Sequence, residues 1–437
     1  MHGGETIFAL SSGAGRAGVA VIRVSGPQAF DIVSALVRPL PEMRRASLRT
    51  IRHPITQERL DDALVIVSPG PRSFTGEDTV ELQCHGSNAV VRAVSRTLNE
   101  LGARHASPGE FSRRALANGR MDVLDVEALG ALLAAETESQ RRLAQTGSGR
   151  IRAVAQAWRS DILQLRAELE ALIDFSDEAD VTQRLDSDTE RRIARVLSEM
   201  DLALASLRNA ERVRDGFRVV LMGPPNAGKS SLLNAIAGRE VAITSPVPGT
   251  TRDTIDVYLD LGGNAVVVTD TAGIRESHDP VEVEGVARSL AKGEIADLVL
   301  WLSPVGTLSV APETRFVSVT TKHDLDGNAA SGRGVSAGLR VSSKTGFGIG
   351  ALLEYLSKRA AETMQLVSEG PTLLTERQAA QLSHARASLA EACRSGATLD
   401  MRAEDVRIAG VALDGLVGRI GPEDVLDEIF SRFCIGK

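Results

Sequence analysis

The sequence predicts a multidomain protein: an α+β N-terminal domain, an all-α helical domain, and an α/β phosphate-loop domain inserted into the helical one. Three observations carry this. The stretch Gly223-Pro-Pro-Asn226-Ala-Gly228-Lys229-Ser230 lies between an apolar run and a helix-like run, the setting that makes a G-x-x-x-x-G-K-S match a phosphate site. Alanine- and leucine-rich helical texture occurs on both sides of that region. Short β-like runs separated by turn residues fill the first hundred-odd positions. At 437 residues, 43% of them apolar, the chain is too long for one core and rich enough for several.

The boundaries follow the texture. Residues 1–118 carry Val19 to Val24, ending at Ser25-Gly26-Pro27, then Ala63 to Val67, ending at Ser68-Pro-Gly-Pro71, and the alternating Thr79 to Gln83. Gln28 to Val37 reads as one helix between them. In residues 119–215, Val123 to Ala144 and Val154 to Ile173 are expected as two helices, and Asp174 to Asp188 as an acidic, solvated connection. Ser187-Asp-Thr-Glu190 reads as a capping box, and Ile193, Val196, Leu197, Met200, Leu204 and Leu207 as a core-facing stripe. Residues 216–362 alternate strand and helix, which predicts a parallel α/β sheet. Residues 363–437 return to helix after Pro371, with Thr375-Glu-Arg-Gln378 as a further capping box. Insertion of one domain into another is tolerated because domain termini lie close together.

Charge and cysteine content bound the function. The net charge of −7 excludes a globally basic nucleic-acid binder, so any RNA contact uses a local patch or a partner protein. Cys84, Cys393 and Cys434 have no metal-like spacing and suit a reducing cytosol. The N-terminus has no basic segment leading into an apolar core, and no run approaches the ~18 apolar residues of a membrane span. A cytoplasmic protein is expected.

The chemistry starts at the phosphate loop. Gly223 and Gly228 permit close backbone approach, so amide N–H groups of Asn226, Ala227, Gly228, Lys229, Ser230 and Ser231 surround the phosphates. The helix opening at Lys229 directs its positive dipole end at them, Lys229 adds a movable charge and Ser230 a hydroxyl for Mg²⁺. Asp270-Thr271-Ala272-Gly273 ends a predicted strand and matches the DxxG pattern of GTPases: Asp270 holds Mg²⁺ through water and the Gly273 amide senses the γ-phosphate. Thr321-Lys322-His-Asp324 sits where guanine is read. Asp324 accepts from guanine N1–H and its exocyclic amine, which adenine does not offer; Thr321 stands where Asn is usual, so GTP is expected over ATP at reduced affinity. Ser342-Ser-Lys344 is the last, loosest base-contacting motif. The loop Ser245-Pro246-Val247-Pro248-Gly249-Thr250-Thr251 supplies a second protein ligand to Mg²⁺, Thr251 or its rival Thr250. Ile274 follows the DxxG glycine, so the water-orienting Gln of Ras-like proteins is absent; Arg252 is the one candidate finger. Asn226 is a candidate for holding a monovalent cation, or simply a turn residue.

Beyond these motifs the chain resembles the tRNA modification GTPase MnmE (TrmE) family from end to end. The resemblance rests on Thr6-Ile7, Gly18 to Gly26 with Arg23, Ser73-Phe-Thr-Gly-Glu-Asp78, Glu81-Leu-Gln-Cys-His-Gly86, Pro108-Gly-Glu-Phe-Ser112, Gly249-Thr-Thr-Arg-Asp253 and the tail Phe433-Cys434-Ile-Gly-Lys437. It implies a folate-binding-like and dimerising N-terminal domain, an all-α helical domain and an inserted α/β P-loop GTPase domain. It implies K⁺ held by Asn226, Ser245, Val247 and Thr250, hydrolytic water oriented by Glu282 (Glu284 as the fallback), and catalytic roles for Lys229, Asn226 and Cys434. It also implies a 5-formyltetrahydrofolate or 5,10-methylenetetrahydrofolate site at Arg23, Glu81, Arg120 and Lys437, where Arg120 replaces an expected lysine. The family acts with an MnmG (GidA)-type FAD protein in a heterotetramer. Together they modify C5 of the wobble uridine of certain tRNAs to aminomethyl or carboxymethylaminomethyl forms, with the tRNA held mainly by the partner. Two rivals use the same nucleotide domain: a regulatory GTPase switch in ribosome assembly, and a scaffold with GTP as a structural ligand.

Overall fold

In the computed structural model the described residues are 4–174, 179–243, 256–270, 296–306, 316–325, 339–365, 375–394, 397–418 and 436. They form two compact units, Met1–Gly130 with Asp414–Lys437, and Ala131–Leu413.

The first unit is built on a six-stranded sheet. Its strands are β1 (Ile7–Leu10), β2 (Ala17–Ser25), β3 (Ser47–Arg52), β4 (Arg59–Ser68), β5 (Thr79–Gly86) and β6 (Arg104–His105), in the order β3-β4-β5-β2-β1-β6. Every neighbour is antiparallel except β1 and β6. Alternation along β1 sends Phe8 to one side and Ile7 and Ala9 to the other. Phe8 joins Ile22, Val24, Val65 and Leu82 under α1 (Ala29–Leu36) and α2 (Asn88–Glu100), whereas Ile7 and Ala9 meet Phe111 of α3 (Glu110–Ala117). α4 (Val123–Ala134) follows. Gly436 lies against Leu10 and its carbonyl accepts from Ser11 Oγ at 2.8 Å, so the C-terminal end of the chain returns to the first strand.

The second unit opens with two 37-residue helices, α5 (Glu138–Asp174) and α6 (Ala179–Asp215). Ile151, Ala155, Trp158, Ile162, Leu165, Leu169 and Leu172 are buried at alternating spacings of four and three, the 3.5-residue period of coiled-coil packing. Ile193, Val196, Met200 and Ala203 continue the pattern on α6. Trp158 Nε1 donates to Glu199 Oε2 at 2.9 Å and Arg195 pairs with Asp161 at 2.8 Å, as an antiparallel pair requires. Leu204 and Leu207 are half-buried at the margin.

Two helix expectations are corrected. The break lies at 135–137, and Glu138–Asp174 is continuous through Gly147 and Gly149. The Gln140 carboxamide oxygen accepts from Thr137 N–H at 3.0 Å, the side-chain-to-backbone half of a capping box, which favours a new helix start there. The two glycines cost about 1 kcal/mol each relative to alanine, less than the long buried seam contributes. The second correction concerns the expected connection Asp174 to Asp188 and the cap at Ser187 to Glu190: α6 begins at Ala179, so residues 179–188 are helix and that S-x-x-E pattern starts nothing. Thr375 does cap, its hydroxyl accepting from Gln378 N–H at 3.2 Å.

The rest of this unit is a seven-stranded sheet: β7 (Phe217–Met222), β8 (Ala242–Ile243), β9 (Asp256–Leu261), β10 (Asn264–Asp270), β11 (Leu298–Pro304), β12 (Phe316–Thr321) and β13 (Leu339–Arg340). The order is β13-β12-β11-β7-β10-β9-β8. The first five are parallel, and β9 runs antiparallel to both β10 and β8. The expected parallel sheet thus carries an antiparallel margin, made by a two-residue turn at Gly262-Gly263, both with positive φ, as a type I′ hairpin needs. α7 (Lys229–Ala237) and α8 (Ile349–Gln365) pack on the sheet through Leu232, Leu233, Ile236, Leu352 and Leu356. α9 (Glu376–Glu391) and α10 (Leu399–Val417) complete the described helices. Asp297 joins α6 to β7: it pairs with Arg212 and accepts from Arg218 N–H at 3.0 Å.

Candidate functional site

The carboxyl ends of β7, β10 and β12 converge on the phosphate loop, where open α/β sheets bind ligands. Gly223 leaves β7 at φ 150°, and a Cβ there would stand 2.3 Å from the Leu302 carbonyl oxygen of β11. Only glycine lets the loop pass that close to the neighbouring strand. Asn226 adopts φ 62° and Gly228 φ 90°, the latter as the left-handed residue ahead of α7. Lys229 folds back over the loop, Nζ donating to the carbonyls of Gly223 at 3.2 Å and Pro224 at 3.4 Å. Ser231 lies exposed on the first turn of α7.

Across the loop, Ser230 Oγ donates to Asp270 Oδ2 at 2.6 Å. Asp270 is only 3% exposed and ends β10, directly beside Leu221 of β7. A hydroxyl and a carboxylate oxygen in contact at the head of a phosphate loop form the hard-oxygen pair that Mg²⁺ takes, so the residues present fit that ion.

The base-reading motif is tied to the same loop. Thr321 Oγ1 donates to the Ala227 carbonyl at 2.6 Å, with both residues buried. The chain then turns through Lys322 at φ 58° into a short 3-10 turn, His323–Leu325. Ser342, fully buried, donates from Oγ to Asp324 Oδ1 at 2.6 Å. That hydrogen bond is the main reason the Asp324 carboxyl sits below its ordinary range, with Lys344 and His323 adding to it. His323 N–H donates to Val341 O at 3.2 Å, and its ring lies 4.7 Å from that of Phe347. Thr321, Lys322, Asp324, Ser342 and Lys344 therefore belong to two loops held against each other. The role of Ser342 in orienting Asp324, and of Thr321 in reaching the phosphate loop, were not evident from the motifs, because each bond joins segments distant in sequence.

In the first unit Arg23 and Glu81 stand opposite each other on β2 and β5. Arg23 donates from Nε to Glu81 Oε1 at 3.0 Å, and its guanidinium lies over the rings of Phe74 at 4.8 Å and Phe111 at 5.6 Å. Arg120 Nε donates to Ser73 O at 3.2 Å, next to Phe74. The residues present thus offer a paired acid and base between aromatic faces, a setting that fits a planar polar ring.

The loop carrying Phe74 is braced from below. Arg114, itself nearly buried, donates to Glu77 at 3.0 Å and to Glu110 at 3.1 Å, and Arg104 joins Glu110 to Glu5. Burial alone would raise the Glu110 carboxyl. The hydrogen bonds from Arg104, the Ser107 N–H and Arg114 together outweigh burial and hold it below the usual range. The 73–78 and 108–112 segments are brought together by this network, a relation that neither segment shows alone. Ser245, Pro246, Val247, Pro248, Gly249, Thr250, Thr251, Arg252, Thr271, Ala272, Gly273, Ile274, Glu282, Glu284, Cys434 and Lys437 lie outside the described residues. Among the described residues no helix is long and apolar enough to cross a membrane.

Comparison with known proteins covers nearly the whole chain. The family described as GTP-binding protein TrmE N-terminus matches residues 6–120, and the MnmE helical domain matches residues 124–434. The tRNA modification GTPase MnmE of Azorhizobium caulinodans is 48% identical over 438 residues, covering 99% of both chains. That of Methylobacterium sp. (strain 4-46) is 48% identical over 441 residues, covering 99% of this chain and 100% of its own. That of Cereibacter sphaeroides is 45% identical, with coverage of 99% and 100%.

Proposed function

The chain belongs to the MnmE family of tRNA modification GTPases and is a GTP hydrolase, and from that premise we propose how its residues divide the work. The reading is a K⁺-activated GTPase that acts with an MnmG-type FAD protein to modify C5 of the wobble uridine of certain tRNAs, using a one-carbon unit from tetrahydrofolate. The observation that supports it best is the Ser230 to Asp270 contact at 2.6 Å, beside the Thr321 tie to the same loop. It supports cation, phosphate and base recognition at one set of strand ends.

In this reading the domains are 1–118, 119–215 with 363–437, and 216–362. The amides of residues 226–231 and the Lys229 ammonium hold the phosphates. Ser230, Thr251 and, through water, Asp270 would hold Mg²⁺, which when bound would offset phosphate charge. Lys229 leaves the Gly223 and Pro224 carbonyls for the phosphate oxygens, a stronger, charge-assisted partner. Asp324 accepts from the guanine edge while Ser342 orients it, and Lys322 and Lys344 flank the base. Asn226, Ser245, Val247 and Thr250 hold K⁺. Glu282 orients the attacking water. Arg23, Glu81, Arg120 and Lys437 hold the folate, with Cys434 in the same tail. The protein acts as a homodimer within a heterotetramer, in the cytoplasm, and the FAD partner holds most of the tRNA.

GTP turnover in KCl and in NaCl at equal ionic strength, for the intact chain and Asn226→Ala, tests this. Faster turnover in K⁺, with the K⁺ response lost in the variant, is expected. Equal turnover in both salts would overturn the K⁺ assignment.

A further inference from the structure

The net charge of −7 leaves open how much of the tRNA this chain touches. Its surface is not uniformly acidic. Between Ala35 and Arg59 the chain carries Arg38, Arg44, Arg45, Arg49, Arg52 and Arg59, against Glu42 and Glu58 as the only acids. Arg45 pairs with Glu42, and Arg59 with Asp62. Arg38, Arg49 and Arg52 have backbone carbonyls as partners instead: Ser34 O at 3.3 Å, Pro39 O at 2.9 Å and Gln57 O at 3.0 Å respectively. All three line one groove of about 500 Å³ between the end of α1 and strand β3, and among the described residues no carboxylate lines it.

We propose that this groove binds the phosphate backbone of RNA, so that this chain holds part of the tRNA itself. The proposal rests on the tRNA-modifying reading above and names where the RNA lies on this chain. Carbonyl bonds, one each for Arg38 and Arg52 and two for Arg49, hold the guanidiniums without neutralising their charge, which leaves further N–H donors of the kind that suits phosphate oxygens. The floor is firm: Leu36, which lines the groove, belongs to the core of the first unit, as does Ile51 between the lining residues Thr50 and Arg52. β3 is the outermost strand of its sheet, so a long polyanion can run past the groove without meeting a neighbouring strand. Charged side chains on an edge also discourage strand pairing, but that purpose is served by either sign and by lysine. Three arginines with no acid among them match an anion. Exposed Leu48 and Ile55 at the groove's margins offer apolar contact to ribose and base faces.

The test uses the full chain, an unmodified tRNA transcript and a salt series. Each phosphate contact contributes about 0.7–0.9 to the slope of log affinity against log salt. Arg38→Gln, Arg49→Gln and Arg52→Gln together are expected to make the slope shallower by about 2–3 and to weaken binding at least about tenfold at low salt. GTP hydrolysis and the melting temperature stay unchanged, and Arg45→Gln, which lies outside the groove lining and beside Glu42, leaves the slope as it was. An unchanged slope in the triple variant overturns the proposal. So does its sedimentation with anionic phosphatidylserine vesicles being lost while the RNA slope stays the same. Either outcome leaves the tRNA-modifying reading standing, because wobble-uridine analysis in cells carrying Lys229→Ala reports on that reading separately.

Discussion

Thr321 occupies a position where an asparagine is usual, and its bond to the phosphate loop gives the substitution a measurable consequence. Thr321 Oγ1 donates to Ala227 O at 2.6 Å in a buried setting. Thr321→Val keeps the shape and removes the donor, so no cavity forms and the cost is that of a buried carbonyl losing a partner, about 1–3 kcal/mol. The tie fixes the distance between the loop that holds phosphates and the turn that carries Asp324. A ligand bridging both must then supply the ordering itself. Expressed wholly in nucleotide affinity, the loss is about 5- to 150-fold, for GTP and GDP alike. Preference for GTP over ATP is unchanged, because Asp324 and Ser342 are untouched. Thr321→Ser keeps the hydroxyl and loses one methyl, about 1 kcal/mol of packing, with affinity retained. Titration with a fluorescent GTP analogue, alongside thermal melting of the apo protein, reads both quantities. Valine binding as tightly as threonine, or serine binding as weakly as valine, would refute the tie.

Three further outcomes follow from the same geometry. Gly223→Ala brings a Cβ to 2.3 Å from Leu302 O; since the obstacle is strand backbone, nucleotide binding is expected to be lost and the melting temperature lowered, and an alanine variant that binds GTP normally would contradict this. The Asp324 carboxyl is held low chiefly by Ser342, so its charge is present above the ordinary carboxylate range and lost only as pH falls through a still lower value. Ser342→Ala raises that value, and GTP affinity measured across acidic pH should fall off at higher pH than in the unaltered chain; coincident pH profiles would count against it. Arg114→Met leaves Glu77 and Glu110 without their shared partner, at a cost of about 3 kcal/mol, seen as earlier denaturant unfolding of the first unit. Because Glu110 is also held low, its contribution is present above the unfolded carboxylate range and disappears as pH falls, so the difference between Arg114→Met and the parent should narrow in acid.

Local motifs were readable in the sequence because their meaning lies within a few residues. The phosphate loop, the strand ending in Asp270 and the turn carrying Asp324 lie at the ends of β7, β10 and β12, where alternation of apolar runs and turn residues put them. Contacts across the fold were not readable. Thr321 and Ala227 are 94 positions apart, and Ser25, Glu77 and Arg114 meet only after β2, the 73–78 loop and α3 assemble. Helix limits failed where a local signal competed with tertiary packing. The expected gap between Ala144 and Val154, which contains Gly147 and Gly149, is overridden by the seam between α5 and α6, and the pattern at Ser187 is a cap only when the preceding residues are not already helical. The antiparallel margin was not expected from the sequence, although Gly262-Gly263 between two β-like runs carries the hairpin signal that explains it.

Nucleoside mass spectrometry of tRNA tests the central claim most directly. Cells lacking this protein are compared with cells carrying the intact chain or Lys229→Ala. The account expects the C5-modified wobble uridines to vanish, to return with the intact chain, and to stay absent with Lys229→Ala. Full modification in the Lys229→Ala cells would contradict it, since modification would then proceed without the phosphate loop.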